Sequence, residues 1–177
     1  WTEFKEGESE FVGYSSFSTK SEVLRFSPSG EGEWQIVLDR TPFYAESGGQ
    51  VADVGSLSQR EKSWQVIDVQ KQGDFILHYC RGTETPSDGT VQANIDVEKR
   101  LQVTNNHSAT HLMLSAMREI LGTHVTQAGS IVHPEYLRFD FTHSEKPSWE
   151  QMKLIENRVN AIIRENISCE IYETGYQ

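Results

Sequence analysis

The chain has 177 residues, of which 36% are hydrophobic and 24% charged, a composition that forms a core and excludes a disordered polymer. No apolar run approaches the roughly 20 residues that cross a bilayer, and no leader pattern opens the chain, so no membrane partner is expected. The formal net charge is −10 and the longest basic run is Lys99-Arg100. Nucleic-acid binding draws on phosphate neutralisation, so strong RNA binding by this chain alone is not expected.

Residues 1–95 read as all-β. "EWQIVLD" (33–39), "SWQVIDVQ" (63–70) and "DFILHYC" (74–80) are rich in β-branched and aromatic residues. The turn clusters "SPSGEGE", "SQREK", "QKQGD" and "ETPSDGT" separate them. Short strands at this spacing predict a small β-barrel or sandwich.

The pattern changes near Asp96. Asp96 caps a predicted helix through "VEKRLQV", and a second helix is expected from about Asn106 to Leu121, stopped by Gly122. "GSIVHPEYLRFDF" reads as a hairpin around a proline turn within residues 124–142. "PSWEQMKLIENRVNAIIREN" gives the clearest helix signal, with Ser148 and Gln151 at capping-box spacing and Met152, Ile155, Val159 and Ile162 as its apolar stripe. "SCEIYETG" returns to a strand pattern. The expected fold class is α+β: a small barrel or sandwich over 1–95, then a part over 96–177 with helices covering one face of a sheet. The start at Trp1 and the end inside an alternating pattern read as a fragment. Cys80 and Cys169 are far apart and fit a reducing, cytoplasmic setting better than a disulfide framework.

Three stretches could carry chemistry. In "NNHSATHLM", His107 and His111 are four residues apart, so on a helix both could reach one zinc ion. Zinc proteases place glutamate directly after the first histidine, and Ser108 stands there instead. Spacing alone leaves open whether the pair is half a metal site or two polar residues near a helix start. In "LDRTPFYAESGGQVADVG" (38–55), the Ser47-Gly48-Gly49-Gln50 turn either lets backbone approach a ligand or is ordinary turn material. In "HVTQAGSIV" (124–132), Gln127 offers an amide donor and acceptor just before Gly129. His78, His124, His133 and His143 lack a close-spaced partner and are not expected to hold zinc.

In that order, "LDRTPFYAESGGQVADVG", "NNHSATHLMLSAMREILGTHVTQAGSIV" and "LRFDFTH" resemble the editing domain of the alanyl-tRNA synthetase family. "FVGY" (11–14) is similar to the segment that opens that domain. The resemblance spans nearly the whole chain. It implies a β-barrel followed by the α/β editing domain that threonyl- and alanyl-tRNA synthetases share. It also implies a zinc ion held by an H-x-x-x-H pair and a later C-x-x-x-H pair. His107 and His111 match the first pair. The second is absent from these residues, since Cys169 is followed three residues later by Tyr172 and then by Glu173. Two of four expected ligands are therefore present, and zinc binding by this chain is expected to be weak or absent.

A pocket built for alanine rejects serine or glycine only about ten- to two-hundred-fold, so a second, hydrolytic site is needed. The resemblance implies that reaction: hydrolysis of the ester of Ser-tRNA(Ala) or Gly-tRNA(Ala). It implies an editing role for Gln127 and an amino-acid pocket lined by Thr41 and Ser47, Gly48, Gly49 and Gln50. Thr41 is the candidate for reading the serine hydroxyl, because its own hydroxyl donates and accepts. The implied partners are the 3′ end of tRNA(Ala) and the remaining synthetase domains, where ATP and magnesium would serve alanine activation. A free-standing editing hydrolase and a non-catalytic fragment with an incomplete metal site are the alternatives.

Overall fold

The computed structural model of the chain describes residues 1–168. The strand expected at "SCEIYETG" lies from Cys169 onward outside the described residues. Among those described, strands precede two long helices and a hairpin, so the α+β class is as expected.

The first strands in chain order are β1 (Thr2–Glu3), β2 (Glu10–Phe11), β3 (Ser18–Gly30), β4 (Glu33–Leu38) and β5 (Arg40–Thr41). They are followed by β6 (Gly55–Gln59), β7 (Lys62–Gln72), β8 (Phe75–Arg81) and β9 (Thr90–Ile95). Hydrogen bonding runs β3-β4-β8-β7-β6-β9 and returns to β3, closing an antiparallel barrel with β1 added alongside β3. One long strand makes the closure possible. The first part of β3, Ser18–Glu22, pairs with β9, and the part from Val23 to Gly30 pairs with β4. A closed sheet leaves no row of unpaired backbone groups at an edge.

The barrel core follows strand alternation. On β9, Val91, Ala93 and Ile95 point inward. On β7, Trp64 and Val66 are buried, then a bulge between Val66 and Asp68 shifts the phase so that Val69 is the next inward residue. Trp64 Nε1 donates to the Glu84 carbonyl at 2.7 Å, which satisfies its one polar atom. β3 was longer than its sequence suggested. It continues through Pro28 to Gly30, beside a register shift, and the expected "SPSGEGE" turn shrinks to Glu31 and Gly32. Gly32 has φ +67, which glycine adopts without strain.

The two helices expected between Asp96 and Leu121 are one, α1 (Val97–Leu121). Asp96 caps it as expected: its Oδ1 accepts from Lys99 N at 3.1 Å, and its carbonyl from Arg100 N at 3.0 Å. The segment Thr104–Asn106 contains weak helix formers but neither glycine nor proline, so nothing there removes a backbone bond. Thr104 Oγ1 instead bonds back to the Arg100 carbonyl at 2.8 Å. Gly122, at φ +118, ends the helix.

The expected hairpin forms from β10 (Thr126–Val132) and β11 (Leu137–Thr142), turning where His133 N bonds the Tyr136 carbonyl at 2.9 Å. α2 (Trp149–Glu165) begins with the expected capping box at Ser148 and Gln151. Of its expected stripe, Ile155 is buried and Val159 half-buried, while Met152 is 44% exposed.

The chain forms two compact units. One is Trp1–Asn106 with Ser130–Arg138; the other is His107–Gly129 with the chain from Phe139. The second has its own small core of Ala116, Met117, Val125 and Ile155, flanked by Leu114, Phe139 and Phe141. Among the described residues no helix is long and apolar enough to cross a membrane.

Candidate functional site: the glycine turn and the helix histidines

The Ser47–Gln50 turn is a tight two-residue hairpin. Ser47 N donates to the Gln50 carbonyl at 3.2 Å and Gln50 N to the Ser47 carbonyl at 3.0 Å. Gly48 and Gly49 between them have φ +61 and +84, the pair of positive angles that a type I′ turn requires. Gly49 also has a packing reason, since a Cβ there would lie 2.4 Å from the Ser130 carbonyl oxygen. The turn is held to β10 by a short parallel bridge: Val132 N donates to the Gly49 carbonyl at 2.7 Å, and Val51 N to the Val132 carbonyl at 3.1 Å. Ser47, Gly48 and Gly49 are exposed, whereas Gln50 is buried.

Thr41 lies in the barrel interior with no exposed surface. Its Oγ1 is 2.7 Å from His78 Nε2 and accepts from Phe43 N at 3.1 Å. His78 is equally buried, and its Nδ1 lies 2.9 Å from the Ile36 carbonyl. A carbonyl only accepts, so Nδ1 carries the proton, Nε2 is the acceptor, and Thr41 gives its single proton to His78. Burial pushes the His78 pKa down to about 4, partly opposed by the Ile36 bond, so the ring is neutral at pH 7. A hydroxyl beside an imidazole has the outline of a nucleophile and its base. Here no ester can reach the pair, and its role is to fix the strand end that leads into Pro42, Phe43 and Tyr44. Sequence alternation placed His78 in a strand but gave no sign of its partner.

His107 and His111 lie one turn apart on α1, with ring centroids 5.2 Å apart and planes inclined by 17°. Desolvation first, and the neighbouring His111 second, lower the His107 pKa, favouring the neutral form that a metal needs. Two imidazoles one turn apart suit two positions of a tetrahedral zinc set. Among the described residues no group of three or more His, Cys, Asp or Glu is arranged to hold a metal. The fit is that of half a site.

Gln127 is on β10, exposed and five residues before the Val132 bridge point. The remaining histidines have local partners. His124 Nε2 and His143 Nδ1 are 2.8 Å apart with stacked rings. His133 stacks on Tyr136, and its carbonyl accepts from Asn106 Nδ2 at 2.7 Å. Beside the loop that carries the glycine turn, a cleft of about 480 Å³ is lined by residues including Glu46, Asp53, Asp68, Gln102 and Glu135. Glu46, Asp68 and Glu135 outnumber Lys99 in that lining, and Asp53 is paired with Arg100, so the cleft does not favour a phosphate backbone.

Residues 2–99 match the family described as tRNA synthetases class II (A). The alanine–tRNA ligase of Bacteroides thetaiotaomicron is 42% identical over 175 residues, covering 97% of this chain and 20% of that protein. The alanine–tRNA ligase of Parabacteroides distasonis is 45% identical over 175 residues, covering 96% of this chain and 20% of that protein. That of Fusobacterium nucleatum is 44% identical over 165 residues, covering 92% and 19%. The chain thus spans about a fifth of the length of the curated relatives it matches. With more than half of its residues inside the family match, the chain belongs to the class II (A) tRNA synthetases, and its relatives there are alanine–tRNA ligases.

Proposed function

We propose that this chain is the editing part of an alanine–tRNA ligase and hydrolyses the ester of Ser-tRNA(Ala) or Gly-tRNA(Ala). The observation that carries the reading is the Ser47–Gln50 turn itself, where Gly48 and Gly49 are exposed, carry no side chain and hold positive φ. A turn with a bare backbone is suited to holding a small aminoacyl group by directed hydrogen bonds. In this reading the barrel (1–95) supplies the turn, and the α/β domain (96–177) supplies Gln127, His107 and His111.

Ser47, Gly48, Gly49 and Gln50 line the amino-acid pocket, with the exposed amides and hydroxyl of the turn as its polar contacts. Gln127 orients the ester or the amino-acid side chain. Thr41 acts through the segment it anchors, because its proton is committed to His78; one lone pair remains for a serine hydroxyl if the segment opens. The attacking group is water, since the Thr41–His78 hydroxyl–imidazole pair is sealed in the barrel. His107 and His111 would hold two positions of a zinc ion, the others being left to the C-x-x-x-H pair that the resemblance implies. When bound, zinc supplies Lewis-acid polarisation at the reacting end of the tRNA. The whole ligase would attach alanine to tRNA(Ala) in the cytoplasm, using ATP and magnesium bound elsewhere.

The test is deacylation of Ser-tRNA(Ala) by a whole alanine–tRNA ligase containing this sequence. Gln127→His should slow deacylation while alanine attachment proceeds at its normal rate. An unchanged deacylation rate would remove Gln127 from the mechanism. Thr41→Val leaves His78 Nε2 and Phe43 N–H without their partner, so it should lower stability by about 1–3 kcal/mol. If editing falls without that loss, Thr41 contacts the substrate directly.

A further inference from the structure

Asp53 and Arg100 form a buried ion pair beneath the glycine turn, 6% and 8% exposed. Arg100 Nε donates to Asp53 Oδ1 at 2.9 Å and Oδ2 at 3.1 Å, and Nη2 also donates to Oδ2. The rest of the guanidinium is used as well. Nη1 donates to the Gly13 carbonyl at 2.8 Å and Nη2 to the Pro42 carbonyl at 2.9 Å. Asp53 in turn accepts from Tyr44 N at 2.7 Å, and its own amide donates to the Tyr44 carbonyl at 3.1 Å. Tyr44 and Asp53 are therefore bonded twice and close the neck of the loop that contains Ser47–Gln50.

We propose that the Asp53–Arg100 pair is the positioning device of the Ser47–Gln50 turn, locking the loop neck to the start of α1 and to the Gly13 corner. The proposal rests on the reading of that turn as the amino-acid pocket. A buried ion pair is weak evidence for stability, since apolar residues of similar volume often replace one without loss. What such residues cannot copy is direction. The planar fork meets the Asp53 carboxylate and two carbonyls from different segments at once, which fixes where each segment lies. Gly13 shows how close that convergence is, because a Cβ there would stand 2.3 Å from the Pro42 oxygen. The glycine of "FVGY" is thus required by the approach of the Pro42 carbonyl, which Arg100 holds, and of the Phe11 ring.

Two variants test this. Arg100→Lys keeps the charge and loses the fork; Asp53→Leu combined with Arg100→Met removes both charges and keeps apolar volume. Each is placed in a whole alanine–tRNA ligase containing this sequence, and kcat and KM for Ser-tRNA(Ala) deacylation are measured beside alanine attachment. Amide hydrogen exchange is followed in the same proteins. The expected result is a kcat for deacylation reduced roughly 10- to 100-fold, with KM changed less and alanine attachment retained. Exchange at Tyr44, Gln50 and Val51 should accelerate while β4 and β8 hold their rates. If the double variant does not fold, Arg100→Lys carries the test. Wild-type exchange in the loop together with wild-type kcat overturns the proposal, as does faster exchange spread evenly over the barrel, which would make the pair merely structural. A wild-type ligase that fails to deacylate Ser-tRNA(Ala) would instead remove the editing reading. The loop exchange would then still decide whether Asp53 and Arg100 set the turn.

Discussion

The barrel and the unit built on the second half of α1 shelter their apolar residues to different depths. In the barrel, Leu38, Phe43, Leu57, Val66 and Val69 have no exposed surface. In the other unit, among the described residues, α2 leaves Trp149 79% and Leu154 56% exposed. A sheet that closes on itself completes its backbone bonding and its core together, whereas helices on a hairpin need cover for every apolar face. The candidate residues divide along the same line. Thr41 and the glycine turn belong to the deep unit, and His107, His111 and Gln127 to the shallow one. Rigid support is thus built into the first set.

The sharpest way to break this contrast is to truncate one large side chain in each unit. Trp64→Ala removes an almost fully buried ring and its bond to Glu84, and should lower unfolding free energy by about 3–5 kcal/mol in denaturant titration. Leu154→Ala should stay within about 0.5 kcal/mol of wild type. A Leu154 effect comparable to that of Trp64 would mean that the outer face of α2 is covered in solution.

Acid gives a second contrast, expected to be somewhat smaller. Burial holds His78 at a pKa of about 4, while an unfolded histidine titrates near 6.5. Above pH 6.5 both states are neutral and the contribution is intact. As pH falls from 6.5 toward 4, the unfolded chain takes up a proton that the folded barrel refuses, so stability declines by about 3 kcal/mol. Melting temperature measured from pH 7.5 to 4 should fall more steeply for wild type than for His78→Gln. Matching slopes would show that His78 does not set the acid sensitivity of the barrel.

Sequence patterns revealed the two units unequally. β4, β7 and β8 were visible because β-branched and aromatic residues cluster between turn signals, and the α2 cap was visible because Ser148 and Gln151 have fixed spacing. β3 was not, since a strand that curves to serve two partners mixes exposed serines, a proline and buried apolar residues. The two helices expected between Asp96 and Leu121 form one, because the weak helix formers Thr104–Asn106 include neither glycine nor proline to end it. Among the site residues, the glycine turn was legible because two adjacent positive-φ positions demand Gly-Gly. The Thr41–His78 contact and the Asp53–Arg100 clamp join residues far apart in the chain, and no local pattern records which buried polar groups will meet.

A loss smaller than those at Trp64 and His78 bears on whether the two units unfold together. Ser148 Oγ accepts from Gln151 N at 3.2 Å, and Gln151 Oε1 accepts from Ser148 N at 2.8 Å, so the box satisfies two backbone donors at the start of α2. Ser148→Ala deletes the first bond and should destabilise α2 by about 1 kcal/mol. Hydrogen exchange can locate that loss. If the units open separately, protection falls for amides of α2 and leaves β4, β7 and β8 unchanged, because their slowest exchange reports opening of the barrel alone. If the barrel amides lose protection by the same factor, the chain unfolds as one cooperative body. The deep barrel and the shallow helical unit would then differ in surface cover but share one stability.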